Sequence, residues 1–509
     1  MFKPSAILTT DFYKIGHVFQ YPENTTKVYS NLTPRDNKYT ICNDSPFFDG
    51  KMVFFGLQYF IKSFLIEQFN ETFFNKPLIS VLSDYQCRVM SSLGILIPRT
   101  HIEALHKLGY LPIEIKALPE GSRVNMRIPV LTITNTHTEF YWLTNFLETA
   151  LSAVLWKMCN NASIAFEYKR ILTKYANKTG VPLDFVSYQG HDFSFRGMSG
   201  IEDAMCSGMA HLTSFKGTDT IPAIEALEYY YDADSIEDVI GCSIPATEHS
   251  VMCSGGKDTE IETFKRLITK VYPSGFVSIV SDTWDFWKVI TEYLPQLKDI
   301  IMARDGKVVI RPDSGDPVEI ICGKEIRCND PRDVIENRDI DISKPEYKGA
   351  VECLWDIFGG TVNEKGYKVL DSHIGLIYGD SITIERANEI LKRLEVKGFA
   401  SSNIVFGIGS YTYNYNTRDS FGMAVKSTYV EVDFEPREIE KDPKTGDGVK
   451  KSAKGLLCVQ LDDKGEFILK DQCTKRMEEI GELQTVFFNG RLTNADNLTN
   501  IRKRLEIKQ

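Results

Sequence analysis

The chain predicts an α/β fold: a central β/α barrel with a second, α+β domain built from both termini. Two observations carry this. Seven apolar, strand-like runs in the middle of the chain each stop at a polar cluster, and helix-length spacers separate them. The two ends instead share a grammar of short strands and turns, so they are expected to fold together.

Taken in order, short strands are expected at 27–32 (KVYSNL), 52–57 (MVFFGL), 112–124 (PIEIKALPEGSRV) and 129–134 (PVLTIT), with a helical pattern over Leu57 to Phe69. From about Glu139 a long apolar helix, FYWLTNFLETALSAVLWKM, leads into the alternating centre. The seven runs end in SYQGHDFSFRG (187–197), SFKGTDT (214–220), SIPATEHS (243–250), SIVSDTWD (278–285), VIRPDSGDP (309–317), LIYGDS (376–381) and VFGIGS (405–410). Beyond them, strands at 428–432, 455–461 and 466–470 flank a charged turn region at 433–454, and an amphipathic stretch from Ala495 to Ile507 predicts a surface helix. The expected domains are 1–150 with 411–509, and 151–410.

Composition sets the class. With 509 residues, two domains are the default, and 43% hydrophobic with 25% charged content matches a globular chain. A net charge of −10 opposes non-specific binding to nucleic acid or acidic membranes, so an anionic ligand needs a local cationic pocket. Eleven cysteines without C-x-x-C spacing suggest neither a disulfide framework nor a zinc site. No signal-peptide pattern or transmembrane-length run is present, so the expected location is cytoplasmic.

In a barrel the carboxyl ends of parallel strands converge on one mouth, so the seven polar clusters would meet around one ligand. Their pooled side chains include Asp192, Arg196, Asp219, His249, Asp282, Arg311, Asp313 and Asp380, a mixture that suits a phosphorylated sugar.

The ordered set TDFYK (10–14), QYPENTTKVYS (20–30), HDFSFRG (191–197), FKGTDT (215–220), PATEHS (245–250), RPDSG (311–315), Gly379-Asp380, FGIGS (406–410) and NTRD (416–419) resembles the nicotinamide phosphoribosyltransferase family over essentially the whole chain. The resemblance implies a type II phosphoribosyltransferase fold, an irregular α/β barrel plus a domain from both termini, assembled as a homodimer with shared active sites. It implies as substrates nicotinamide and phosphoribosyl pyrophosphate, with ATP as coupled co-substrate and Mg²⁺ as cofactor.

By the same resemblance, Phe193 stacks on one face of the nicotinamide ring and Tyr13 of the partner subunit on the other; an aromatic pair contributes about 0.5–1.5 kcal/mol beyond area burial. Asp219 accepts the carboxamide N–H, a charge-assisted bond worth about 1.5–3 kcal/mol, and repels the carboxylate of nicotinic acid. A helix N-cap is the other role open to Asp219, because Thr218-Asp219-Thr220 precedes a helical pattern. Arg196, Arg311, Arg418 and Lys426 match phosphate-binding positions. The backbone of Gly379, Gly409 and Ser410 forms an anion nest beside Asp380, and Asp313 accepts from ribose hydroxyls. Asp282 is expected to hold Mg²⁺ through water. His249 accepts the γ-phosphate of ATP, with Glu248 fixing its tautomer or orienting a water.

Three departures from the family pattern stand out. Gly409-Ser410-Tyr411 replaces a run of glycines, with Tyr411 expected to point away from the phosphate. Gly375 stands where some relatives carry an arginine. Lys441, Lys450 and Lys451 lie in the loop from which relatives direct lysines toward ATP. The rival readings are nicotinate phosphoribosyltransferase, a phosphatase using Gly379-Asp380-Ser381 with Asp339-Ile340-Asp341, and a non-catalytic regulator. Asp219 opposes the first on charge; the polar setting of ENRDIDISK opposes the second.

Overall fold

A computed structural model describes residues 3–236, 238–325, 341–443 and 451–507. Lys450, Asp339 and Ile340 lie outside the described residues.

The seven central runs build the barrel. Six parallel strands form one sheet, in the order Gly217–Thr218, Gly190–Asp192, Val405–Ile408, Ile374–Tyr378, Val308–Arg311, Val277–Val280. These runs read as unbroken apolar stretches because both faces of the sheet are covered. The third run, around SIPATEHS, does not form a strand of its own. It spans the gap between the two edge strands through isolated parallel bridges, Gly217 to Cys242 and Ala246 to Ser278. Thr218 N donates to Cys242 O at 2.9 Å and Ser278 N to Pro245 O at 2.8 Å. Residues 242–247 therefore act as a seventh stave with an irregular backbone, because Pro245 lacks an N–H and cannot sustain a ladder.

A seven-stranded antiparallel sheet joins the two ends of the chain. Its order is Glu435–Glu438, Ala424–Val432, Thr25–Thr33, Leu131–Asn135, Ile113–Ala117, Gln484–Phe488, Arg491–Leu492. The central pairing crosses the chain, with Val28 opposite Val430 and Asn31 opposite Lys426. Of the expected 52–57 strand only Met52–Val53 pairs, against Arg123–Val124. Residues 456–461 and 467–473 form a separate hairpin.

The helix Glu148–Thr179 is the spine between the two parts. Its second half is more polar than its apolar start, yet stays buried because its polar groups are partnered. Asn161 Nδ2 donates to Ser207 Oγ (2.9 Å), Asn160 Nδ2 to Thr417 O (2.8 Å), and Ser45 Oγ to Glu167 Oε1 (2.7 Å). Leu155 and Met158 are fully buried on the same helix; truncating such a leucine costs about 2–5 kcal/mol. The amphipathic C-terminal stretch forms the helix Leu498–Arg504. It is no free surface helix: Leu498, Ile501 and Leu505 pack with Ala223, Leu227 and Tyr231.

Candidate active site

Parallel register puts the carboxyl ends of all six strands on one side. There a cavity of about 770 Å³ opens, and Phe193, Arg196, Asp219, Arg311, Asp313, Gly379, Asp380, Gly409 and Ser410 all line it. Phe195, Ser381, Ile382, Tyr411 and Thr412 complete the wall. A second, mainly apolar cavity of about 380 Å³ lies behind it and shares Phe193, Asp219 and Arg311. These three residues therefore mark the inner end of the site.

Backbone shape decides where Phe193 lies. Phe193 N donates to Ile408 O at 3.0 Å, seating the ring against the last barrel strand. A Cβ on Gly407 would meet Phe193 Cδ2 at 2.4 Å and Gly379 Cα at 2.8 Å. Only glycine at 407 leaves the ring room to stand where it does.

Asp219 is not the cap of the helix that follows it. That helix, Ile221–Tyr231, has Thr220 at its N-cap with no side-chain bond. Instead Asp219 Oδ1 receives His191 Nε2 at 3.1 Å and Ser243 Oγ at 2.6 Å. Burial pulls its carboxyl up, but the bonds from His191 and Ser243 and the charges of His191 and Arg311 outweigh it, leaving the group below the ordinary carboxylate range. Both donors belong to motifs visible in the sequence, yet their role emerges only once three strand ends stand side by side.

Asp313 is in the opposite condition. Burial raises its carboxyl first, Arg311 partly counters this, and the charges of Asp282 and Asp380 raise it further. Arg311 Nη2 donates to Thr247 O at 3.0 Å, while its buried Nε has no partner in the protein. A buried, unpartnered guanidinium N–H beside a cavity is a ready anion donor.

The Gly379-Asp380-Ser381 turn is strained at a residue other than its glycine. Ser381 has φ +55°, a left-handed conformation that is uncommon outside glycine. Asp380 Oδ2 accepts from Ser381 Oγ at 2.7 Å, and Arg386 Nη1 donates to Ser381 O at 2.8 Å. The helix Ile384–Val396, capped by Thr383, begins immediately beyond. Its positive end adds to the pull on anions in this corner. Ser410 opens the short helix Ser410–Asn414, and Gly197 passes so close that its Cβ would meet Ser410 Oγ. Tyr411, expected to point away, is part of the cavity wall and stacks on Tyr415 with ring centroids 5.1 Å apart. The reason is local: as the second residue of that helix it follows Ser410 directly at the mouth.

His249 opens the helix His249–Ser254 and is half exposed, with Nε2 3.3 Å from Asp282 Oδ1 but without hydrogen-bond alignment. Asp282 is buried; its Oδ2 accepts from Asp313 N (2.9 Å) and Ser314 Oγ (2.6 Å). The carboxylate beside the imidazole is thus Asp282, expected as a metal ligand, and not Glu248. Glu248 sits at the helix N-cap in extended conformation and accepts from Ser250 Oγ.

Tyr13, Arg418 and Lys426 do not reach this cavity. Tyr13 is 63% exposed, with its ring edge-on to His17. Arg418 lies 3.5 Å from Asp419. Lys426 lines a separate cavity of about 230 Å³ with Arg35, Arg127 and Lys451. Burial lowers the Lys426 ammonium, and the charges of Arg35, Lys441 and Arg418 push the same way although Glu148 opposes them.

A parallel barrel whose mouth joins a flat ring, a carboxylate held below its ordinary range, two arginines and two strand-to-helix turns can hold a flat base beside an anionic group. The comparisons with known proteins agree. Residues 188–491 match the nicotinate phosphoribosyltransferase (NAPRTase) family, and residues 5–72 match the nicotinamide phosphoribosyltransferase N-terminal domain. The chain is 57% identical to the nicotinamide phosphoribosyltransferase of Acinetobacter baylyi, covering 99% of this chain and 97% of that one. It is 35% identical to that of Mycoplasma pneumoniae, covering 88% and 94%. A nicotinate-nucleotide pyrophosphorylase structure from Pyrococcus furiosus shares the fold, with a TM-score of 0.54 at 15% identity over 98% of this chain and 94% of that one. The chain belongs to the nicotinate phosphoribosyltransferase family.

Proposed function

We propose that this chain is a nicotinamide phosphoribosyltransferase, a pentosyltransferase of NAD salvage that forms nicotinamide mononucleotide and pyrophosphate from nicotinamide and phosphoribosyl pyrophosphate. The observation that carries the amide over the acid is Asp219, held ionised by His191 and Ser243 beside Phe193 at the inner end of the cavity. A fixed negative charge there attracts a carboxamide N–H and repels a carboxylate.

The pyridine nitrogen of nicotinamide forms its bond to the anomeric carbon as the bond to pyrophosphate oxygen breaks. Positive charge grows on the sugar and negative charge on the leaving group, so catalysis rests on positioning and preorganised charge. Arg311 and Arg196 face the anionic groups, the turns at 379–381 and 409–410 receive phosphate on backbone N–H groups, and Asp313 accepts from ribose hydroxyls. Mg²⁺ fits the same corner: Asp282 Oδ1 is buried without a hydrogen bond, and the Asp313 carboxyl is raised by burial and by its carboxylate neighbours. Asp313 and Asp380 would hold the ion, with Asp282 through water, and it would neutralise pyrophosphate as it departs. Among the described residues no cluster of three His, Cys, Asp or Glu side chains forms a metal cage, which suits an ion ligated largely by water and substrate phosphate.

His249 is the acceptor of the ATP γ-phosphate in this reading, with the Asp282 carboxylate 3.3 Å from its ring. A homodimer supplies Tyr13 and the cation-rich cavity around Lys426 to the site of the partner, which accounts for two surfaces unused within one chain. The ten described cysteines are all free and no described helix is long and apolar enough to cross a membrane, which supports a cytoplasmic location.

The test is formation of nicotinamide mononucleotide from amide and of the acid mononucleotide from nicotinate, by wild type and Asp219→Ala, with and without ATP. Wild type is expected to prefer the amide, Asp219→Ala to lose most of that preference, and ATP to stimulate wild type but not His249→Ala. An unchanged amide-to-acid ratio in Asp219→Ala would overturn the account of specificity.

A further inference from the structure

The carboxylate that selects the base is held by Ser243, and the two residues stand on adjacent staves, Asp219 just past 217–218 and Ser243 second in 242–247. Beyond the backbone bonds that join them, these two staves are also gripped at their feet. Arg502, on the C-terminal helix Leu498–Arg504, pushes its guanidinium beneath them and is itself mostly buried, its side chain 15% exposed. Its Nε donates to Leu212 O at 2.9 Å. Nη2 donates to Phe215 O at 3.3 Å and Ile240 O at 2.5 Å, and Nη1 to Val239 O at 3.1 Å and to Asp238 Oδ2 at 3.4 Å. A guanidinium has five N–H donors, and all five are engaged.

These acceptors are not scattered. Leu212 and Phe215 lead into the stave that ends at Asp219; Asp238, Val239 and Ile240 lead into the stave that carries Ser243. Between foot and top the staves are joined directly, with Cys242 N donating to Lys216 O at 2.7 Å and Thr218 N to Cys242 O at 2.9 Å. The second stave has no regular ladder of its own, so its register depends on these few bonds and on what grips its foot. The Ser243 Oγ to Asp219 Oδ1 bond is 2.6 Å, and a slip between staves would lengthen it.

We propose that Arg502 is a positioning residue for base selection: it sets the register of the two staves that bring Ser243 onto Asp219. This rests on the proposed function for its catalytic readout. The C-terminal helix thereby acts on specificity from the far end of the barrel. Lysine cannot replace Arg502, because an ammonium offers three donors from one point and cannot reach carbonyls on both staves in one plane.

The experiment compares Arg502→Lys with wild type and with Lys503→Ala, an exposed neighbour on the same helix, by two readouts. The first is hydrogen–deuterium exchange, which needs no substrate. Faster exchange is expected in peptides covering 215–219 and 239–244, with 374–380 unchanged; no change in the first two overturns the proposal whatever the enzyme does. The second is steady-state kinetics. Arg502→Lys is expected to raise KM for nicotinamide on the order of tenfold and to narrow the amide-to-acid ratio, with KM for phosphoribosyl pyrophosphate unmoved. Lys503→Ala should match wild type in both readouts. If Arg502 acts through the Ser243 bond, adding Ser243→Ala to Arg502→Lys costs less than the two single losses combined; strict additivity overturns the route. Altered exchange with a wild type that does not use nicotinamide leaves the stave tie standing and removes the functional reading instead.

Discussion

Asp219 and Asp313 line one cavity, yet their surroundings pull their carboxyls in opposite directions. Asp219 receives two side-chain donors and is stabilised as an anion before any ligand arrives. Asp313 has two more carboxylates as neighbours, and burial with their charge outweighs the pull of Arg311 and His249 toward its charged form. The base end of the site is electrostatically complete in the protein alone. The phosphate end is left with excess negative charge beside a buried, unpartnered Arg311 N–H, a state that a cation and a polyanion together would relieve.

Arg311 is a side chain whose charge acts on both carboxylates, so removing it should break the contrast altogether. Arg311→Ala is expected to lower kcat/KM by about 10²–10³-fold, the scale of losing a preorganised charge at a developing anion. Arg311→Lys should recover little, because a point charge cannot both hold Thr247 O and present a second N–H to phosphate. Steady-state kinetics in both substrates checks this; a lysine variant near wild type would mean that net charge alone suffices.

Gly407→Ala should disturb the base end more than the phosphate end, since the closest collision is with Phe193. Its methyl group would collide with the Phe193 ring and the Gly379 backbone, so KM for nicotinamide should rise on the order of tenfold. Asp219→Ala should retain normal Phe193 packing, and a crystal structure of each variant separates the two. Equal rises in both KM values for Gly407→Ala would mean that the two ends are not independent.

The residues that make this contrast are mostly legible in the sequence itself, and the reason is geometric. In a parallel barrel the residue after each strand faces the mouth, so reading strand ends reads much of the cavity lining: Arg196, Asp219, Arg311, Asp313 and Asp380 follow from it, whereas Phe193 follows from the family resemblance. What the sequence does not display depends on pairing across staves. His191 and Ser243 converge on Asp219 from different strands, and no local spacing announces it. The Asp282 to His249 contact likewise crosses staves, whereas the neighbouring Glu248 is the more obvious partner in one dimension. Arg502 carries no sequence signal because its partners are mainly backbone carbonyls, which any residue supplies. The irregular stave at 242–247 is visible as a run, but its reliance on isolated bridges is not.

The smallest expected effect is also the sharpest test of the contrast, because it asks for opposite signs from two identical substitutions. Asp219 is held below its unfolded value of 3.8. Its stabilising contribution is therefore present above that value and lost as pH falls through the lower folded one. Asp313 is raised above 3.8, so the fold favours its protonated form relative to the unfolded chain. The fold keeps that advantage below 3.8 and loses it as pH rises through the raised value. At pH 7, Asp219→Asn should consequently lower Tm, while Asp313→Asn should raise it by about 1–2 °C, a sub-kilocalorie change in a chain of this size discounted for partial exposure. Below pH 3.8 the gain from Asp313→Asn should vanish. In the proposed function Asp313 also accepts from ribose, so the same variant is expected to lose activity. Thermal melts of both variants at pH 7 and at pH 3.5 decide it, and a fall in Tm for Asp313→Asn at pH 7 would show that its carboxylate neighbours are already screened without a ligand.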